Sequence, residues 1–478
     1  MGRTIPITNF VRSGVFLLGL VACVLWLTAM LFDFQYFYAA GGLMVLFVSV
    51  FPIASLRKYD CFCPWSGIVL GVLYGCTVPS LCMTFNIPSE EFVDQEILLG
   101  KRPHSFIWST LLIICTIACV SFGYFCCPFK DKQYSLTRVS NARKVVLTSL
   151  VCCIISVVTF SVFFQENGGI ENGISTKRLG NSRSVANGRF ENHLGHLRHI
   201  AKVGTFAFLL LGGQMCLPTA RGKQWPSLLS MTTLFILFVT SMVLPFYSSS
   251  RSGIVWILIG LLGILYYSRK RIFSARVLLA MSVVFSMVLF ATLSRNREAS
   301  SERDTLDRIG MLLLNRHGPD LAVTSHVMNS IPGELEFQYG KTVSRWLIAP
   351  IPRRLMPHKP VVHVGPQIGE KIYHLNGSGV PPGITADLFW NFHIPGVVCG
   401  AIMMGMFIRM AYNKFRNLAA DPVLVVPVYL FVVFPIGFKL VTHSVGCALV
   451  TPFIDLGFAC AVVFNASNRT AARNRRPQ

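Results

Sequence analysis

Twelve apolar runs, each long enough to cross a bilayer, constrain this chain more than any other feature. They fall at about 14–32, 36–56, 65–85, 106–127, 145–164, 200–218, 226–247, 252–268, 275–294, 387–408, 422–438 and 445–464. A spanning helix needs roughly 20 such residues. Twelve of them use nearly all the apolar side chains of a 478-residue chain that is 53% hydrophobic and 13% charged. A soluble chain of this composition could not cover its core with polar surface. A soluble enzyme, a disordered protein and a collagen-like protein are excluded. The expected fold class is an all-α polytopic membrane protein with about 12 transmembrane helices, within a range of about 10–14. The first run is followed at once by a second, so it does not read as a cleavable signal peptide. Pro427, Pro435 and Pro452 interrupt the last pair, where kinks or a re-entrant segment are expected.

Charge is lopsided, with 43 Lys+Arg against 21 Asp+Glu and a net of +22. Nucleic-acid binding is one reading of such a balance, but membrane orientation claims much of it first. With the N-terminus inside, the inner loops receive Arg57-Lys58, the 130–144 basics, Arg221 and Lys223, Arg269-Lys270-Arg271, Arg409 to Arg416, and the tail. The outer loop 86–105 carries Glu90, Glu91, Asp94 and Glu96 instead. Both termini are therefore expected in the cytoplasm. The chain divides into a nine-span bundle over 14–294, an external basic loop over 295–386, three last spans over 387–464, and a basic cytoplasmic tail over 465–478.

Fifteen cysteines suggest a framework until they are placed. Many lie within the runs, where cysteine behaves as a small hydrophobe, and Cys61-Phe-Cys63 lacks zinc spacing. His193, His196 and His199 could share a helix face in the 165–199 loop, but they are read as part of a solvated loop rather than as a metal ligand set. No metal and no cofactor are expected. Full charges inside the runs are scarce, with Lys439 and Asp455 the main cases. That scarcity, and the lack of a visible internal repeat, count against an ion-coupled transporter.

The 295–386 segment is long for a compact membrane protein and basic beyond what orientation requires. Its arginines could anchor to anionic lipid, or bind an anionic ligand at the membrane surface. Apolar spacing from Arg303 to Ile331 predicts one or two amphipathic helices, broken at Gly318-Pro319, on the membrane or across a cavity mouth. Five prolines between 350 and 366 stiffen the stretch carrying Arg353, Arg354 and Lys359. Further on, Thr385 is placed to cap the tenth span, with Asp387 in its first turn as dipole partner or site acid. Asp387 and Asn391 should share a face, continued by Trp390 and Ile394. Separately, Ser248-Ser-Ser-Arg251-Ser-Gly253 makes an outer turn suited to an anion.

In this order the pieces resemble the bacterial O-antigen polymerase family, the Wzy-type oligosaccharide repeat-unit polymerases. The similarity rests on Ser250-Arg251-Ser252-Gly253, on Tyr339-Gly340 followed by Ile351-Pro-Arg-Arg354 and Lys359-Pro360, and on Pro381-Pro382 leading into Ala386-Asp-Leu-Phe-Trp-Asn391-Phe392 and Gly396. It covers roughly 248–400; earlier residues match only in hydropathy. Two departures stand out: Asp387 where the family pattern has Glu, and His393 where it more often has glycine.

The resemblance implies a GT-C-like membrane glycosyltransferase, metal-independent and lipid-sugar-dependent. It would move a growing glycan from undecaprenyl pyrophosphate to another lipid-linked repeat unit, in O-antigen, exopolysaccharide or capsule synthesis. Arg251, Arg353, Arg354 and Lys359 would hold pyrophosphate, Asp387 or His393 would take the acceptor proton, and Tyr339 and Asn391 would orient sugar hydroxyls. The implied setting is the bacterial inner membrane, with its lipids, a chain-length regulator and a flippase as partners. An O-antigen ligase-like transferase uses the same donor, and a lipid-linked oligosaccharide flippase is the rival from another class.

Overall fold

The structure is a computed structural model. It describes residues 5–31, 36–85, 103–126, 134–135, 138–166, 197, 200–217, 227–247, 251–268, 320–349, 351, 355–356, 358, 360, 362–374, 379–419 and 421–469. The chain is mostly helical. Eight helices are long and apolar enough to cross a membrane: α1 (Asn9–Leu31), α2 (Tyr36–Ala54), α3 (Pro64–Cys82), α4 (Pro103–Cys126), α5 (Ala142–Glu166), and, later, α12 (Gly383–Arg416), α13 (Pro422–Thr442) and α14 (Val445–Ala466). Shorter apolar helices α6 (Val203–Cys216), α7 (Leu228–Tyr247) and α8 (Arg251–Tyr267) occupy the next three expected runs. The run at 275–294 and the trio His193, His196 and His199 lie outside the described residues.

Close helix contact follows from small residues, since lipid tails supply no hydrophobic drive between helices. Along α4 and α12, a Cβ on Gly123 would sit 2.1 Å from the Ile402 carbonyl oxygen, and one on Gly405 the same distance from that of Val120. The α3–α13 seam repeats the device with Gly67 and Gly437. Apolar side chains facing outward, such as Phe16 at 76% and Phe235 at 67% exposed, are the expected lipid-facing surface. Pro427 and Pro435 neither end α13 nor fold it back. The helix continues through a π turn at Tyr429–Val433, which absorbs the missing backbone donors.

Short strands tie helix ends together on one face. They are β1 (Ile5–Pro6) with β2 (Lys58–Tyr59), β3 (Tyr134–Ser135) with β5 (Leu418–Ala419), and β4 (Arg138–Ser140) with β6 (Ser467–Arg469). On this face Asp60 accepts from the Tyr412 hydroxyl at 2.8 Å, the Tyr267 hydroxyl at 3.1 Å and the Phe62 amide at 3.0 Å, joining α3, α8 and α12. Burial pushes the Asp60 carboxyl above its usual range, and these donors only partly oppose that.

The opposite face holds the expected external segment. Its helices are α9 (Asp320–Ser330), α10 (Lys341–Leu347) and α11 (Gly365–Lys371). Of the two placements expected for a helix here, α9 does not lie on the membrane: Leu321, Val323, Thr324 and Val327 are buried, and it packs against α4 and α12. A second small core joins Val323, Val327 and Leu335 to Ile368, Val380 and Trp390.

Candidate functional site

The start of α12 organises this outer face. Gly383 takes φ 69°, open to glycine, and lets the chain leave Pro381-Pro382 straight into helix. Thr385 is therefore inside the first turn rather than at the cap, which is Pro382. Its hydroxyl donates to Thr116 Oγ1 of α4 at 3.1 Å. Asp387 accordingly lies beyond the first turn, where a dipole role does not apply.

Asp387 is fully buried, and both carboxylate oxygens are filled. Oδ1 accepts from the Thr342 hydroxyl at 2.8 Å and from Asn391 Nδ2 at 3.1 Å, and Oδ2 accepts from the Val445 amide at 2.7 Å. Three elements thus meet on one side chain: α10, α12 and the N-terminus of α14. Asn391 completes the knot, donating to Thr342 Oγ1 at 2.6 Å and accepting from the Gly340 amide at 2.8 Å. The shared face of Asp387 and Asn391 is as the spacing predicts. A base must reach a substrate hydroxyl, and this carboxylate reaches only its own fold. In this geometry the Asp387 carboxylate ties α10, α12 and the start of α14 together.

Just past Asn391 the helix breaks. Phe392 has φ −142° and ψ 17°, and His393 has φ 55° and ψ −155°, backbone that essentially only glycine adopts freely. The break turns Ile394 outward, 51% exposed, so it does not continue the buried face of Trp390. Across from it stand Tyr339 at φ 46° and Gly340 at φ 83°. The two strained segments are stitched together: Gln338 donates its amide to the Trp390 carbonyl at 3.1 Å, and the Trp390 indole donates to the Glu336 carbonyl at 2.8 Å. A Cβ on Gly340 would come within 3.1 Å of the Phe392 ring.

Two of the expected side chains therefore stand at the surface of one junction. Tyr339 is 74% exposed, and His393 is exposed beside Phe389 at 4.5 Å and Phe337 at 5.9 Å between ring centres. Phe337 in turn lies 6.0 Å from the Tyr339 ring. A phenol and an imidazole on an aromatic shelf can orient hydroxyls and move a proton. Arg251 is the first residue of α8, while Arg353, Arg354 and Lys359 lie outside the described residues. Among the described residues no three His, Cys, Asp or Glu side chains gather as a metal site.

Sequence reasoning named Tyr339-Gly340 as a motif but missed Thr342 and the Val445 amide, which carry no local signal that would have found them. Compared with known proteins, the chain matches no family model, no curated protein and no solved structure.

Proposed function

We propose that this chain is a metal-independent membrane glycosyltransferase that polymerises polyprenyl-pyrophosphate-linked oligosaccharide repeat units. The observation that carries the reading is the pairing of exposed Tyr339 and His393, both in strained backbone, on a junction locked from beneath by Asp387 and Asn391. Strain of this kind clusters at functional sites. In the reaction, His393 takes the acceptor hydroxyl proton, Tyr339 orients the sugar, and Asn391 holds the Tyr339-Gly340 turn. Arg251, Arg353, Arg354 and Lys359 bind the departing pyrophosphate, whose developing charge preorganised guanidinium groups stabilise best where water is sparse.

In this reading the chain has twelve spans in a GT-C-like arrangement, with the ninth at 275–294. The strand-paired face, which carries Lys58, Arg138, Arg143, Lys144 and Arg416, is cytoplasmic. The junction then opens on the outer side of a bacterial inner membrane. A deletion strain should accumulate single-repeat glycolipid, and Arg353→Ala should fail to restore polymer although it inserts normally. Full-length polymer from that variant would remove the pyrophosphate assignment. Unattached full-length polymer in the deletion strain would instead identify a ligase.

A further inference from the structure

Near the strand-paired face, α12 carries a guanidinium that pairs with no carboxylate among the described residues. The helix runs to Arg416, about two turns past the apolar run at 387–408, so Arg409 belongs to the span rather than to a loop. From the break at His393 it lies roughly 24 Å along the helix, within the ~30 Å of a hydrocarbon core. An intramembrane charge at such a depth needs a partner.

Two rings hold the group. The Arg409 Cζ stands 5.2 Å from the centre of the Tyr124 ring on α4 and 5.7 Å from that of Tyr412, one turn further along α12. Both tyrosines are buried, at 1% and 2% exposed. The glycine seam sets the first ring beside the arginine, since a Cβ on Gly405 would lie 2.8 Å from the Tyr124 amide nitrogen. Ring faces attract the positive charge, but they leave the N–H fork without oxygen acceptors. Among the described residues, the ion pair that forms is Lys439 with Asp455, and no oxygen accepts a hydrogen bond from Arg409. Asp60, the buried acid of this face, is otherwise engaged: Tyr412, Tyr267 and the Phe62 amide donate to it, and Arg416 is its charged neighbour.

An arginine near a helix end ordinarily snorkels to water. Here two rings pin the guanidinium short of the helix end, only partly exposed, so an anion has to come to it. The adjoining face is open to lipid, with Met403 59% and Met410 42% exposed. We propose that Arg409 binds the phosphate of an anionic phospholipid in the leaflet on the strand-paired side, its planar fork meeting two phosphate oxygens while Tyr124 and Tyr412 hold its faces. Lys414 and Arg416, exposed in the last turn of α12, add attraction of the ordinary surface kind. A zwitterionic head group brings its own cation toward the guanidinium, so a head group of net negative charge is preferred. Because Tyr412 also donates to Asp60, an occupied fork steadies the joint of α3, α8 and α12. The site is independent of the transferase reading.

The test uses purified full-length protein in phosphatidylcholine nanodiscs with increasing phosphatidylglycerol, followed by thermal unfolding and by native mass spectrometry of retained lipid. The wild type should gain unfolding temperature saturably and retain phosphatidylglycerol over phosphatidylcholine. R409K keeps the charge but loses the planar fork and its stacking, so its apparent affinity should fall roughly tenfold. K414Q removes an exposed charge nearby and should weaken the response less than R409K does. No wild-type response, an R409K response equal to the wild type's, or one no weaker than that of K414Q would overturn the site. Inorganic phosphate added to phosphatidylcholine discs should have no effect; a saturable response to it that R409K removes would assign the fork to a free anion and overturn the lipid. Should R409K fail to insert, the wild type decides alone, and equal retention of the two lipids overturns the proposal.

Discussion

Replacing Asp387 by asparagine separates a strut from a base. The carboxylate accepts three hydrogen bonds, from Thr342 and Asn391 on Oδ1 and from Val445 on Oδ2. An amide at this position keeps one acceptor oxygen and turns the other into a donor. With its oxygen toward Thr342 and Asn391, the new NH2 opposes the Val445 amide, leaving two buried donors unpaired. Flipped, it serves Val445 but opposes the Asn391 amide. Each unpaired buried donor costs about 1–3 kcal/mol, so D387N should lose about 2–6 kcal/mol of stability. Thr342 is in direct contact, so a double-mutant cycle of D387N with T342V should show coupling of about 0.5–3 kcal/mol. Equilibrium unfolding in mixed micelles measures both, beside glycan elongation by the same preparations. Loss of elongation in a D387N protein of wild-type stability would refute the strut and return Asp387 to the role of base.

At the α4–α12 seam, G405A places a methyl group 2.1 Å from the Val120 carbonyl oxygen and should cost about 1–3 kcal/mol, read as a lowered unfolding midpoint. At the helix break, H393G and H393A both remove the imidazole, but only glycine accepts φ 55° freely. H393G should exceed H393A by about 1–2 kcal/mol, and equal stabilities would mean the break is unstrained. Burial, with Lys439 and His363 as like charges, pushes His443 down from 6.5 to about 4. The unfolded chain therefore takes up this proton first, so the stability His443 contributes is complete above pH 6.5 and lost as pH falls toward 4. The gap between wild type and H443Q, measured by thermal unfolding across that window, should move against the wild type as pH falls; a constant gap would sink the assignment.

The spans were legible because a bilayer demands long apolar runs whatever their tertiary partners. The pairing of Asp387 with Asn391 was legible for a related reason, since four residues on a helix always share a face. What escaped depends on contacts between distant segments. Nothing in the stretch around Thr342 distinguishes a hydroxyl that will be sealed under α12 from one in solvent. Lys439 and Asp455 stood out as intramembrane charges, but their meeting at 3.8 Å depends on how α13 turns back into α14 at Thr442–Val445. Helix α9 has surface-like spacing and ended up buried because α4 and α12 supply a partner that periodicity along one segment does not reveal.

His393 connects these levels. Its backbone lies where glycine would serve without strain, and any other residue there costs about 1–3 kcal/mol. A histidine held in that conformation needs surroundings that over-determine it, and the bonds beneath provide them. Asn391 fixes the Gly340 turn, Trp390 accepts from Gln338, and Asp387 binds Thr342 and Val445 so that neither α10 nor α14 can draw away. Tyr339 is strained on the same junction, and the two exposed rings meet through Phe337. Were the break only a structural bend, glycine at 393 would make it with less strain and the lock could be weaker. In the proposed transferase, an exposed imidazole at such a position is accounted for by the proton it would take from the acceptor. Under that proposal the buried carboxylate would contribute to the chemistry without touching it, by holding the strain in place.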